Sequence, residues 1–115
     1  MTTRPAMADG PFVLIVHDVE DYGRWKQVFD DAAAIRREAG EIEYRLLASE
    51  SDALHVVHFS RWTSLSSARA FFESPELVEI RRIAGVRAPE FLYLNSIEAG
   101  VLQCPQAPAV TACPE

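Results

Sequence analysis

The sequence has little with which to hold a nucleic acid, a nucleotide phosphate or a metal. Eleven basic residues stand against 17 acidic ones, a formal net charge of −6 over 115 residues. A general nucleic-acid or anionic-membrane binder shows a basic surface instead. Ten of the bases are arginines, and Lys26 is the only lysine. The five glycines are scattered and form no Gly-x-Gly-x-x-Gly, so no Gly-rich phosphate loop is expected. No Gly-x-Ser-x-Gly elbow offers a serine nucleophile. Cysteine is nearly absent. Cys104 and Cys113 make no Cys-x-x-Cys and have no histidine near them, which argues against zinc. Two reduced thiols are expected, with a tail disulfide as the alternative. Asp18, Glu20 and Asp21 cluster, but without clustered histidines or a repeated Asp-x-Asp spacing no metal is expected. The longest apolar run, Phe12 to Val16, is far below the ~20 residues needed to cross a bilayer. Residues 1–10 lack the apolar stretch of a signal peptide. A soluble cytoplasmic protein is the expectation.

What is present suits one globular domain. Hydrophobic residues make up 49% and charged residues 24%, enough to bury a core without disulfides. Residues 1–11 read as a flexible start, 12–98 as the folded domain, and 99–115 as an irregular tail rich in proline. Phe12–Val19 is β-branched and apolar on both faces, which predicts a strand covered on both sides. Asp21 is placed to cap a helix that Gly40 ends. Between them Tyr22, Trp25, Phe29, Ala32, Ile35 and Ala39 recur at helical spacing as one apolar stripe. Ile42–Ser49 and Leu54–Trp62 read as a hairpin. Thr63 or Ser64 caps a second helix, and Ser74-Pro75-Glu76 starts a third that Gly85 stops. Glu90–Ile97 reads as the last strand.

The order β-α-β-β-α-α-β is that of a ferredoxin-like split βαβ fold, an α+β class with a four-stranded sheet and helices on one face. The first and third strands are expected at its centre, as parallel neighbours in a mixed sheet. Their apolar second faces call for a cover. A second copy of the chain, sheet against sheet, is the economical one, so a homodimer is expected.

Three histidines, His17, His55 and His58, are the candidate bases. His17 and His58 fall in the two central strands and are expected to approach each other. Strand periodicity puts His55 and His58 on opposite faces. Tyr22, Trp25, Phe29, Trp62, Phe71, Phe72 and Tyr93 supply seven large rings, plain core or the wall of a pocket for a flat hydrophobic ligand. Tyr93 and Asn95 share a face by parity and are candidate hydrogen-bond donors. Arg45 shares a face with Glu43, which suggests an ion pair.

The run His17-x-Val19-x-Asp21-Tyr22-x-x-Trp25-Lys26-x-x-Phe29-Asp30 resembles the opening of one branch of the dimeric α+β-barrel proteins, the antibiotic biosynthesis monooxygenase-like group. The resemblance continues through Arg36 and Gly40, Trp62-Thr63-Ser64-Leu65, Ala68-Arg69-Ala70-Phe71-Phe72, Ser74-Pro75-Glu76-Leu77 and Ala84-Gly85-Val86, and covers roughly residues 12–98. The pattern departs at Ala32, where family members carry a histidine. The resemblance implies a site between helices and sheet in each subunit of a dimer. It also implies chemistry that ranges over cofactor-independent oxygenation, polyketide cyclisation and lactone isomerisation, with haem-degrading and inactive members besides. The reading that follows is a cofactor-free enzyme of secondary metabolism acting on a flat phenolic or polyketide-like substrate, by oxygenation or cyclisation through an enolate or phenolate. His17 or His58 would be the base, Tyr93 and Asn95 the oxyanion donors, and Tyr22, Trp25, Phe29, Trp62, Phe71 and Phe72 the wall. The alternative is a non-catalytic dimeric module that binds a hydrophobic small molecule.

Overall fold

A computed structural model describes residues 10–103. The chain runs β1 (Phe12–Val19), α1 (Tyr22–Asp31), α2 (Ala33–Ala39), β2 (Glu41–Ser49), β3 (Asp52–Trp62), α3 (Leu65–Glu73), α4 (Pro75–Ala84) and β4 (Val86–Leu94). The four strands form one sheet in the order β2-β3-β1-β4. Every neighbouring pair is antiparallel, so the expected mixed sheet with parallel β1 and β3 is corrected. The reason is topological. The helical crossover makes β2 run with β1, and the hairpin then inserts β3 between them in the opposite sense.

The caps are built from the residues that prefer them. Asp21 accepts from the backbone N–H of Arg24, Ser64 from that of Ser67, and Ser74 from that of Leu77. Pro75 opens α4, where no backbone donor is needed. Gly85 ends it with a left-handed φ of 79°. Gly40 has φ 122°, and a Cβ there would lie 2.6 Å from Thr63 Oγ1, so only glycine fits between α2 and β2. The single first helix expected over 21–40 is two, α1 and α2, joined at Ala32.

Alternation along β1 sends Val13, Ile15, His17 and Val19 toward the helices, where all four are buried. The register brings Ser60, His58 and Val56 of β3 onto the same face. Two clusters fill the space between layers: Val13, Ile15, Trp62, Ala68 and Phe72, then Val19, Trp25, Phe29, Val56 and Ala84. Trp62 is anchored by its indole N–H, which donates to Ser60 Oγ at 2.8 Å. Among the described residues no helix lies on the opposite face of the sheet. That face carries Leu14, Val16, Val57, Phe59, Leu92 and Leu94, all half-buried, with Phe12 stacked on Phe59 at 5.0 Å. Among the described residues no helix is long and apolar enough to cross a membrane. Cys104 and Cys113, most of the tail, and residues 1–9 lie outside the described residues.

Candidate functional site

Side chains from both core clusters line one cavity between the sheet and the helices. Its walls are Ile15 of β1, Trp25, Val28 and Phe29 of α1, Phe71 and Phe72 of α3, Leu77, Ile80 and Ala84 of α4, and Val86 of β4, with Ala32 at the helix junction. Four polar side chains reach it: His17, Arg36, His58 and Arg81. The cavity volume is about 70 Å³. One water needs about 10–15 Å³ on this measure, so the space matches a handful of waters, and a benzene ring needs about twice that space.

His17 is 4% exposed, and neither of its ring nitrogens has a hydrogen-bond partner. Buried polar atoms are nearly always paired, so a two-nitrogen orphan marks a place for another molecule's polar groups. Burial pushes its pKa down from 6.5 to about 4, and His58 adds to this while Asp18 opposes it. At neutral pH the ring is therefore uncharged, with one N–H to donate and one lone pair to accept. Trp25 packs against it, ring centroids 5.4 Å apart.

His58 is as deeply buried but fully engaged at one end. Its Nε2 lies 2.8 Å from Glu41 Oε2. Glu41 Oε1 accepts in turn from Arg36 Nε at 2.8 Å. Arg36 donates through Nη1 to the Phe29 carbonyl, and its guanidinium carbon lies over the Phe29 ring, 3.7 Å from the centroid. Burial raises the Glu41 pKa, but the hydrogen bond and charge of His58, with those of Arg36, outweigh it and hold the carboxyl below its ordinary range. Arg81 reaches the cavity from α4, donates to the Phe72 carbonyl at 3.0 Å, and pairs with no carboxylate among the described residues. Desolvation lowers its pKa.

The residues singled out in the sequence divide. His17, His58, Trp25, Phe29, Phe71 and Phe72 come together around the cavity. Trp62 stands behind them in the core, with Phe71 and Phe72 between 5.3 and 5.7 Å away. Tyr22, 42% exposed, lies instead along a surface groove with Leu46, Leu47 and Val56. Tyr93 faces the helices two residues beyond Phe91 but does not line the cavity; Arg69 covers its ring at 4.0 Å, and burial pushes its hydroxyl pKa up. Asn95 falls past the end of β4, exposed in a groove with Gly10 and Pro11. Neither joins the histidines, so the expected oxyanion donors are not at this cavity. His55 is on the open face, 2.8 Å from Asp18, as its parity requires. Glu43 pairs across the strands with Arg61 at 2.7 Å.

Sequence reasoning missed Arg36, Glu41 and Arg81. The signal for Arg36 was present: Trp25, Phe29, Ala32 and Arg36 step by four, three and four, which places an arginine on the buried stripe in the position given to Ile35. Among the described residues no group of three metal-ligating side chains is assembled.

Residues 20–82 match the sequence profile described as antibiotic biosynthesis monooxygenase. No curated protein matches the chain. Solved structures do. SnoaB, a cofactor-independent oxygenase from Streptomyces nogalater, is 17% identical with a TM-score of 0.66, over 80% of this chain and 97% of that one. The ActVA-Orf6 monooxygenase of Streptomyces coelicolor, solved with the ligand nanaomycin D, is 18% identical with a TM-score of 0.58, over 84% and 95%. Rv0793 from Mycobacterium tuberculosis is 18% identical with a TM-score of 0.57, over 80% and 100%. At these identities the structures speak for the shared fold.

Proposed function

The chain belongs to the antibiotic biosynthesis monooxygenase family, and from that premise we propose that it is a cofactor-independent monooxygenase of secondary metabolism whose substrate is a flat phenolic or polyketide-like aromatic. The observation that carries this reading is His17: a neutral imidazole with both nitrogens unpaired, in the wall of an apolar cavity of about 70 Å³ that must widen to admit an aromatic ring. A phenol fits that demand, with an apolar ring for Trp25, Phe29 and Phe72 and a hydroxyl for the imidazole.

The roles of the two histidines differ. His17 resists protonation, so it binds and orients the hydroxyl. His58 takes the proton, because the imidazolium that forms lies against the Glu41 carboxylate. The phenolate oxygen then has the Arg81 guanidinium as its counter-charge, in place of Tyr93 and Asn95. An electron-rich phenolate can reduce dioxygen. One oxygen atom forms a bond to ring carbon, the carbon loses its hydrogen, the other oxygen leaves as water, and the ring ends as a quinone. A phenol plus dioxygen thus balances a quinone plus water. A polycyclic substrate seats one ring in the cavity and displaces the α4 wall at Leu77 and Ile80 to place the rest.

The test is oxygen uptake with a set of hydroxynaphthalenes, 1-naphthol first, with quinone formation followed in parallel. One quinone per dioxygen is expected. His58→Phe lowers the rate by about a hundredfold or more, the usual scale for losing a general base. Binding without uptake would favour the non-catalytic holder, and no binding by any member of the set would sink both readings.

The same reading places a second copy against the open face of the sheet. The apolar residues there form one continuous surface on β1, β3 and β4, larger than the scattered apolar residues a monomer normally exposes. Light scattering is expected to give twice the 12.8 kDa of the chain. A single-chain mass at micromolar concentration removes the dimer.

A further inference from the structure

The group behind the cavity is more elaborate than a core needs. Arg36, Glu41 and His58 are each over nine-tenths buried, and they come from three different elements, α2, β2 and β3. Burying such a set can cost more desolvation than its attractions return, and apolar residues of the same volume often hold a core as well or better. A role at the site is the natural return on that cost.

We infer that Glu41 is the positioning residue of this site: its carboxylate, clamped by Arg36, holds His58 in the Nε2–H tautomer and leaves Nδ1 as the proton acceptor. The inference rests on the proposed function for what His58 does, and on geometry for how it is held. An ionised carboxylate only accepts hydrogen bonds, so the nitrogen 2.8 Å from Glu41 Oε2 must carry the proton. The form that can act as a base is the neutral imidazole, which has one proton; with that proton on Nε2, Nδ1 is bare. Arg36 fixes the carboxylate in turn. Its Nε binds the second oxygen, Oε1, and its own place is fixed by the Phe29 carbonyl and by stacking on the Phe29 ring. Glu41 is therefore held at both oxygens, and among the described residues no second side-chain donor competes at Oε2. The same carboxylate would steady the imidazolium once the proton has moved, the logic by which an orienting acid serves a histidine base.

The other groups facing His58 do not compete for this assignment. Phe29 of α1 and Tyr44 of β2 meet the ring at right angles, with centroids 5.0 and 6.0 Å away. His17 of β1 lines the same cavity, as does Arg81 of α4, and neither is hydrogen-bonded to His58.

The experiment uses the full chain labelled with nitrogen-15 in histidine, with His17→Ala, His55→Ala and His58→Phe variants to assign the rings. The wild type is expected to show His58 protonated at Nε2 and bare at Nδ1, with a slowly exchanging ring proton. Glu41→Gln presents an amide that can donate as well as accept, so the Nδ1–H form should appear while the backbone spectrum stays native. 4-Nitrophenol is the chemical probe, because its phenol and phenolate differ in visible absorbance. The bound phenolate-to-phenol ratio is expected to fall about tenfold in Glu41→Gln, the scale on which a neighbouring charge acts. A wild-type His58 protonated at Nδ1 overturns the inference, even if the variant does not fold. So does a folded Glu41→Gln with unchanged tautomer and unchanged ratio. Nitrophenol that fails to bind the wild type counts against the phenolic reading of the cavity, and the tautomer then decides Glu41's part by itself.

Discussion

Arg36→Ala is expected to lower the stability of the folded chain by about 3–5 kcal/mol in urea unfolding at pH 7, the cost of stripping one partner from a buried ion pair. Arg36 and Glu41 have side chains 9% and 3% exposed, so the carboxylate relies on the guanidinium rather than on water. Glu41 would keep only its bond to His58, and the Phe29 carbonyl would lose the donor it has from Nη1. The arginine also gives up its stacking on Phe29 and its contact with Tyr44. Against a total of about 5–15 kcal/mol for a small domain, this is a large share. Two controls separate charge from packing. Arg36→Met keeps most of the volume and should cost nearly as much, because the carboxylate is still abandoned. Arg36→Met combined with Glu41→Leu should recover much of the loss, because no charge is then left unpaired. A loss below about 1 kcal/mol for Arg36→Ala, the scale of a surface pair, would mean that the group is solvated after all.

The ease with which the fold could be read, and the difficulty of the site, have the same origin. Local signals are decided by a residue and its neighbours in the chain. Phe12–Val19 was bounded to the residue because β-branched runs have few alternatives, and Asp21, Ser64, Ser74-Pro75 and Gly85 acted as caps where their chemistry said they would. The last strand was misplaced for an equally physical reason. Pro89 is a residue that strand interiors disfavour, and the expected strand, Glu90–Ile97, begins just after it. In the sheet β4 is an edge strand, where a missing backbone donor on the outer side is tolerated. A register shift opposite Val16 and Asp18, with Ala88 at φ 50°, absorbs the rest, and the strand begins at Val86. The parallel pairing assigned to β1 and β3 failed because strand direction is set by topology and leaves no mark on composition. His17 and His58 still meet at the cavity, since His58 faces Ile15 across the register and His17 faces Val56, two residues along the same face. Arg36–Glu41–His58 was invisible for another reason. It joins residues five and 17 positions apart through a turn and a strand pairing, and nothing in their spacing distinguishes them from surface charges. The placement of Asn95 failed with the strand end on which it depended.

Acid is expected to weaken the fold through His17, and the direction follows from its surroundings. In the unfolded chain the imidazole titrates at its ordinary 6.5, and in the folded protein at about 4, because burial disfavours the charged ring. Above pH 6.5 neither state holds the proton, so His17 leaves stability unaffected. Between 6.5 and about 4 the unfolded chain binds a proton that the folded chain refuses, so stability falls as the pH falls. Below about 4 both states are protonated and the loss levels off. At about 1.4 kcal/mol per pH unit, the full loss is roughly 3 kcal/mol. Glu41 moves in the same direction at lower pH, because a carboxyl held below its ordinary range withdraws stability as it is protonated. The wild-type profile alone therefore mixes the two. His17→Leu separates them, because leucine fills the cavity wall without a titrating group and leaves Glu41 with its partners. Urea unfolding from pH 7 to pH 4.5 should show the wild type losing about 2–3 kcal/mol more than His17→Leu. The orphaned nitrogens predict the sign of the mutation itself at pH 7: with no hydrogen bond to lose, His17→Leu should be as stable as the wild type or more so. A phenolic ligand bound to the wild type should recover part of the acid loss by holding the folded state, and should do nothing for His17→Leu if His17 is what it binds. Parallel pH profiles for wild type and variant would show that His17 is hydrated in solution, and would remove the observation on which the proposed function stands.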